Sequence, residues 1–222
     1  MSPTAQRFPS RRRFLLGLGL MTQIAAAPKS AVVTVLGDSI TAGLGLPARD
    51  AMPAQLQSAL QKMGVPAIVR AAGVSGDTSG GGLARVGFSV GNDTTLCVVA
   101  LGGNDLLQGV EPSKTKANLR GVLQKLKARG IKAVLVGVGA PPIIGAAYAR
   151  EFNAVYPSLA REFAVPLYPN ILAGVSGNPT LIQRDGLHPN AEGAKRIGQA
   201  LAPVIAKALN SRRISAGGRR PG

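Results

Sequence analysis

His188 is the only histidine in the 222-residue chain, so any mechanism that carries a proton on imidazole must use it. It stands in RDGLHPN, where Asp185 lies three residues earlier, Gly186 permits a tight turn and Pro189 stiffens the exit. That spacing can bring the carboxylate to one ring nitrogen, fixing the tautomer and leaving the other nitrogen free as a base. An ordinary turn before a helix would have the same composition. A base needs something to deprotonate, and Ser39, in VLGDSITAGLG, stands where an apolar run stops and glycines begin. A hydroxyl exposed there is a candidate nucleophile, although a helix cap or a turn is the plainer role for the same serine. Acyl transfer also needs donors for the oxyanion that forms when a nucleophile attacks a carbonyl. LGGND supplies Asn104, with two amide N–H groups, and GVSGDTS supplies Gly76, whose backbone N–H no side chain shields.

Only a fold that returns the chain repeatedly to one edge can gather residues so far apart. From residue 31 the sequence alternates short apolar runs with longer helical segments. The runs at 31–36, 67–71, 96–101, 133–138 and 165–168 are mostly continuous, a pattern that predicts strands covered on both faces. Between them one helix opens at Pro53 and closes at Gly64, and another runs from about Pro112 to Gly130. Further helices are expected over 147–163 and 191–209, the last behind Asn190, a good N-cap residue. Glycine and small polar residues at 76–82 hide the start of the helix after the second strand. The repeat predicts an α/β domain over 31–210, with a five-stranded parallel sheet, right-handed crossovers and helices on both faces. In such open sheets ligands bind beyond the carboxyl ends of the strands, near the reversal of strand order. That rule puts Ser39, residues 73–76 and residues 102–105 on one rim.

The formal charge of +16 misdescribes this body. Nine of the 26 basic residues and none of the ten acids lie in residues 1–30 and 211–222. With no tryptophan, five phenylalanines and three tyrosines, the footprint of a nucleic-acid binder is missing, and no nucleic-acid partner is expected. Ser10-Arg11-Arg12-Arg13-Phe14-Leu15-Leu16, followed by an uncharged, mostly apolar stretch to Ala27, resembles a twin-arginine signal. Residues 1–30 are therefore expected to be a signal peptide that delivers a folded protein to the periplasm. That stretch is short for a spanning helix, which needs about 20 apolar residues. Residues 211–222, with four arginines, are expected to form a disordered basic tail.

Cys97, the single cysteine, lies in TLCVVALGG, where a small apolar residue fits, so packing is expected rather than catalysis. One cysteine and one histidine exclude the usual structural zinc clusters, and neither a cofactor nor a metal is expected. GLGLP and GGGLAR lack the order of a dinucleotide fingerprint, and no phosphate-loop motif is present. Asp38, Asp77 and Asp105 each stand beside a candidate site residue. They are expected to be hydrogen-bonding supports for their loops, with a three-carboxylate metal site as the minor alternative.

Four blocks in this order, GDS, GVSGDTS, GGND and DGLHP, resemble the SGNH (GDSL) hydrolase superfamily, most closely its exported arylesterase, acyl-CoA thioesterase and lysophospholipase branch. The likeness runs from about Val32 to Leu209 and includes SGDTSGGGLAR, LGGNDLLQG and FNAVYPSLAREFAVPLYP. It implies a flavodoxin-like three-layer α/β/α sandwich with Ser39 as nucleophile, His188 as base and Asp185 as its orienting acid. It further implies an oxyanion hole made by the Gly76 backbone N–H, the Asn104 side chain and the Ser39 backbone N–H. The implied substrate is a small acyl ester, aryl ester or thioester. Lysophospholipid use would add transient contact with membrane lipid. Gly37 and Gly43 are expected to let the chain turn so that Ser39 faces substrate. Leu44, Met52, Ile143 and Ile144 depart from the branch, where aromatics, a tryptophan and an asparagine are common, and are expected to form an apolar rim that favours acyl or aryl groups over sugars. Two other readings stay open: a carbohydrate O-deacetylase of the same superfamily, and a noncatalytic flavodoxin-like module holding a phosphate ligand at Ser39 and Thr41.

Overall fold

The computed structural model describes residues 30–211. Residues 1–29 and 212–222, which hold the expected export signal and basic tail, lie outside the described residues. The strands β1 (Ala31–Gly37), β2 (Ala67–Gly73), β3 (Leu96–Ala100), β4 (Lys132–Val136) and β5 (Leu167–Tyr168) pair in parallel, in the order β2-β1-β3-β4-β5. The helices are α1 (Ser39–Ala42), α2 (Met52–Lys62), α3 (Ser79–Ser89), α4 (Gly103–Leu107), α5 (Pro112–Ala128), α6 (Ala146–Phe163) and α7 (Ala191–Asn210).

Alternation along the strands divides the core in two. Leu96 and Val98 of β3 face one layer with Leu56 and Leu60 of α2 and Ile197 and Leu201 of α7. Cys97 and Val99 face the other, with Leu119 and Leu123 of α5 and Phe152 and Tyr156 of α6. Helices on both faces are why β3 is an unbroken apolar run in sequence and β1 is interrupted only by Thr34, whose hydroxyl is buried and paired with that of Thr94 at 2.8 Å. The expectation of two covered faces fails for β2, which is an edge strand: Ile68 is half-exposed, and Arg70 pairs with Asp93 at 2.7 Å along the open side. A charged, paired edge resists adding a foreign strand.

Two features of this frame bear on function. Strand order reverses between β1 and β3, so the loops after these two neighbours diverge to opposite faces and leave a crevice at their carboxyl ends. Tyr156, fully buried and edge-on to Phe152 with ring centroids 6.0 Å apart, donates its hydroxyl to the Leu101 carbonyl at 3.0 Å. That bond fixes the exit of β3. The start of α3, hidden in sequence by its glycines, is set by Thr78, whose hydroxyl accepts the Gly81 N–H at 3.3 Å. Asn190 caps α7 as expected, accepting from the backbone of Glu192 and Gly193.

Candidate active site

β1 ends at Gly37, and one residue later Asp38 caps the single-turn helix α1, its Oδ1 accepting the Ile40 N–H at 3.1 Å. Ser39 is the first residue of that turn, which Gly43 closes with φ +74°. Gly43 thus has the expected reason to be glycine, a left-handed backbone. Gly37 has a different one. Its backbone is extended, but a Cβ there would collide with Thr41 Oγ1 and stand 2.9 Å from the Ala100 carbonyl oxygen, so its lack of a side chain lets α1 settle onto the strand ends.

The segment before α7 doubles back on itself. Gln183 donates its backbone N–H to the His188 carbonyl at 2.8 Å, Asn190 donates to Leu181 at 2.9 Å, and Gly186 takes φ +73° at the tip. Within this tip Asp185 Oδ1 accepts the N–H groups of Leu187 at 2.9 Å and His188 at 3.0 Å, while Oδ2 lies 2.6 Å from His188 Nδ1. The other ring nitrogen, Nε2, lies 2.8 Å from Ser39 Oγ. Residues 149 positions apart in sequence therefore share one hydrogen-bonded line. These bonds, the Leu187 N–H foremost and then the His188 ring and N–H, hold the Asp185 carboxyl down at about 2. It is ionised across the working range of any imidazole base.

Gly76 occupies the third position of a turn closed by Asp77 N–H to the Val74 carbonyl at 3.1 Å, with φ +81°, a conformation that favours glycine. Asn104, in the first turn of α4, donates one amide N–H to the Asp77 carbonyl at 2.9 Å, which orients the side chain and leaves its second N–H without an acceptor among the described residues. Among the described residues, neither the Gly76 nor the Ser39 backbone N–H has a protein acceptor. Ser39, Gly76, Asn104 and His188 all line one cavity of about 570 Å³, whose wall is largely apolar through Leu44, Leu106, Val138, Ile144, Ile171 and Leu187. Of the expected apolar rim, Leu44 and Ile144 line the cavity. Ile143 does not; it is 91% exposed, and Met52 is fully buried in the core against α7.

The three aspartates beside the candidate residues act as supports. Asp38 is buried against the cavity, and that burial pushes its carboxyl up to about 6, opposed by the Ile40 N–H. Asp77 pairs with Arg85 at 2.7 Å. Asp105, fully buried, accepts the Ser79 N–H at 2.7 Å, the Thr115 hydroxyl at 3.0 Å and the Ser79 hydroxyl, tying α4 to the start of α3. Among the described residues no three His, Cys, Asp or Glu side chains gather closely enough to hold a metal ion. Cys97 is wholly buried, and desolvation pushes its thiol up to about 12, which leaves it no thiolate at neutral pH.

Two further side chains were missed by sequence reasoning. Gln183 Nε2 donates both to the Pro189 carbonyl at 2.9 Å and to the Leu44 carbonyl at 2.8 Å, joining the histidine segment to the loop that leaves α1. Arg85 is buried beneath the loop that carries Gly76. Glutamine and arginine are ordinary surface residues by type, and only their contacts mark them.

Residues 35–196 match the GDSL-like Lipase/Acylhydrolase family. The chain belongs to that family. Ester hydrolysis is the chemistry of GDSL acylhydrolases, and it is the chemistry of this one. Esterase TesA of Pseudomonas aeruginosa is 39% identical over 191 residues, covering 86% of this chain and 94% of its own. The protein named thioesterase 1/protease 1/lysophospholipase L1 of Escherichia coli is 37% identical over 196 residues, 88% of this chain and 92% of its own. The crystal structure of AlinE4, described as an SGNH-hydrolase family esterase, has 42% sequence identity and a TM-score of 0.69, covering 83% of this chain and 99% of its own. The parallel sheet with helices on both faces is the α/β sandwich of these relatives.

Proposed function

We propose that this GDSL hydrolase cleaves acyl or aryl esters and thioesters through an acyl-enzyme intermediate, with Ser39, His188 and Asp185 as its triad. The observation that carries the reading is the unbroken line from the Asp185 carboxylate through His188 to Ser39 Oγ at an apolar cavity. Ser39 Oγ attacks the carbonyl carbon while His188 Nε2 takes its proton, and Nδ1–H remains bonded to Asp185. The carbonyl oxygen, now an anion, accepts from the N–H groups of Gly76 and Ser39 and the free N–H of Asn104. Collapse expels the alcohol or thiol with the proton from Nε2, leaving the acyl group on Ser39. Water then attacks the acyl carbon, gives its proton to Nε2, and the second collapse returns that proton to Ser39 Oγ and frees the acid.

The apolar wall supports acyl or aryl groups over acetylated sugars, whose hydroxyls would find few partners there. Relatives named as esterase, arylesterase and thioesterase/lysophospholipase support the same breadth, and lysophospholipid use would bring transient contact with membrane lipid. The arginine-led apolar segment at 10–27 supports action in the periplasm. The test is turnover of p-nitrophenyl butyrate and stoichiometric labelling by a fluorophosphonate. Ser39→Ala and His188→Ala are expected to lose nearly all turnover with unchanged circular dichroism, and Ser39→Ala to lose the label. Full activity in either variant would end the proposal.

A further inference from the structure

Arg85 is one of few charged side chains in the core, 9% exposed, and no step of the reaction uses it. Four of its five N–H groups are engaged. Nε donates to Asp77 Oδ2 at 2.7 Å, Nη1 to the Ala72 carbonyl at 2.9 Å and to Ser89 Oγ at 3.2 Å, and Nη2 to the Gly37 carbonyl at 2.8 Å. The positions of these acceptors matter. Gly37 ends the strand that leads to Ser39, two residues on; Ala72 lies near the end of the strand that leads to Gly76; Asp77 follows Gly76 directly. The Asp77 carbonyl, in turn, is the acceptor that orients Asn104. One side chain therefore touches the approaches to the nucleophile and to the Gly76 donor, and reaches the Asn104 donor through a single intervening residue.

Burying a guanidinium is unfavourable unless its donors and charge are matched, and here Asp77 supplies the charge and two strand-end carbonyls supply the acceptors. The fit extends to α3 itself, since a Cβ at Gly81 would collide with Asp77 Oδ1, so the Asp77 carboxylate packs closely against the helix that bears Arg85. A lysine would bring one ammonium and could not span carbonyls on two strands and a carboxylate on a loop.

We infer that Arg85 is a positioning residue for the oxyanion hole, holding the Gly76–Asp77 turn and, through the Asp77 carbonyl, the Asn104 amide in register with Ser39. This inference rests on the serine-hydrolase reading above. Displacing those donors slightly weakens them in the transition state more than it weakens substrate binding, so the loss falls on kcat.

The experiment is a double-mutant cycle on p-nitrophenyl butyrate, with Arg85→Lys, Asn104→Ala and the pair. Arg85→Lys is expected to lower kcat by about tenfold to a hundredfold, with KM within about twofold. In the Asn104→Ala background the same change is expected to cost several-fold less than in wild type, because one of the two donors it positions is already gone and only the Gly76 N–H is left to displace. An undiminished loss in that background, or a kcat for Arg85→Lys within twofold of wild type, overturns the role. Should Arg85→Lys fail to fold, Asp77→Asn, which keeps the carbonyl and removes the charge partner, carries the same cycle with the same two outcomes. A wild-type protein that neither turns over the ester nor takes the fluorophosphonate strikes the serine-hydrolase reading instead, so the two failures are separable.

Discussion

Replacing Asp185 in two ways tests how the proposed triad works, because the structure ranks the variants in an order opposite to their resemblance to aspartate. Oδ1 accepts two backbone N–H groups, at 2.9 and 3.0 Å, and only Oδ2 faces the imidazole, at 2.6 Å from Nδ1. In Asp185→Asn the amide oxygen must keep the Oδ1 place, since only an acceptor satisfies those two N–H groups. The amide nitrogen then faces Nδ1, and two donors cannot meet. The ring is driven to the tautomer protonated on Nε2, which aims a hydrogen at Ser39 Oγ, 2.8 Å away, and has no lone pair to receive one. A tautomer trap of this kind costs about 10⁴-fold in kcat, or about 5.5 kcal/mol. Asp185→Ala removes the carboxylate without installing a donor. The Asp185 side chain is 45% exposed, so water can take its place beside Nδ1–H and the productive tautomer survives. That variant loses orientation and charge but not the proton's direction, and about 10²-fold is expected. The assay is kcat on p-nitrophenyl butyrate at pH 8 for both variants, with fluorophosphonate labelling rates as a second readout. An Asp185→Asn enzyme faster than Asp185→Ala would refute the reasoning.

Removing the side-chain donor in Asn104→Ala is predicted to lower kcat by about 10²- to 10³-fold with KM little changed; a loss confined to KM would show that Asn104 binds the ground state instead. Asp38 gives a pH-dependent stability. Its folded value near 6 lies above the usual carboxylate range, so its contribution is full below about pH 4 and is lost as pH rises through about 6. Asp38→Asn keeps an acceptor for the Ile40 N–H and is predicted to exceed wild-type stability by up to about 3 kcal/mol at pH 8 and by nothing at pH 4, measured by urea unfolding; a difference independent of pH would contradict this. Cys97, buried and with its thiol held near 12, is predicted to leave activity untouched by iodoacetamide, and stoichiometric alkylation of the folded enzyme would contradict its burial.

Much of this architecture was legible because β1 and β3 are apolar on both faces and because Pro112 and Asn190 mark helix starts with groups that satisfy or dispense with orphan donors. The short helices α1 and α4 were not legible. Four or five residues are too few to show a period, and both are imposed by strand-end geometry rather than by propensity. Ser39, Gly76 and Asn104 could be singled out because each has a chemical type suited to a role just beyond a strand end, and Asp185 and His188 because of their types and close spacing, whereas Gln183 and Arg85 are defined only by carbonyls that folding brings to them. Gly37 lets the chain turn through its lack of bulk, a reason that sequence alone does not distinguish from flexibility. Met52 was assigned to the rim by likeness of position, and only packing shows that α2 turns it into the core.

The base and its acid share one hairpin tip placed after the last strand, while the nucleophile follows the first. A ribosome making this chain adds every strand and the residues Ser39, Gly76 and Asn104 before it adds Asp185 and His188. On the proposed mechanism, a nascent chain or one clipped before residue 185 lacks both the base and the part of the cavity wall that Leu187 and His188 supply.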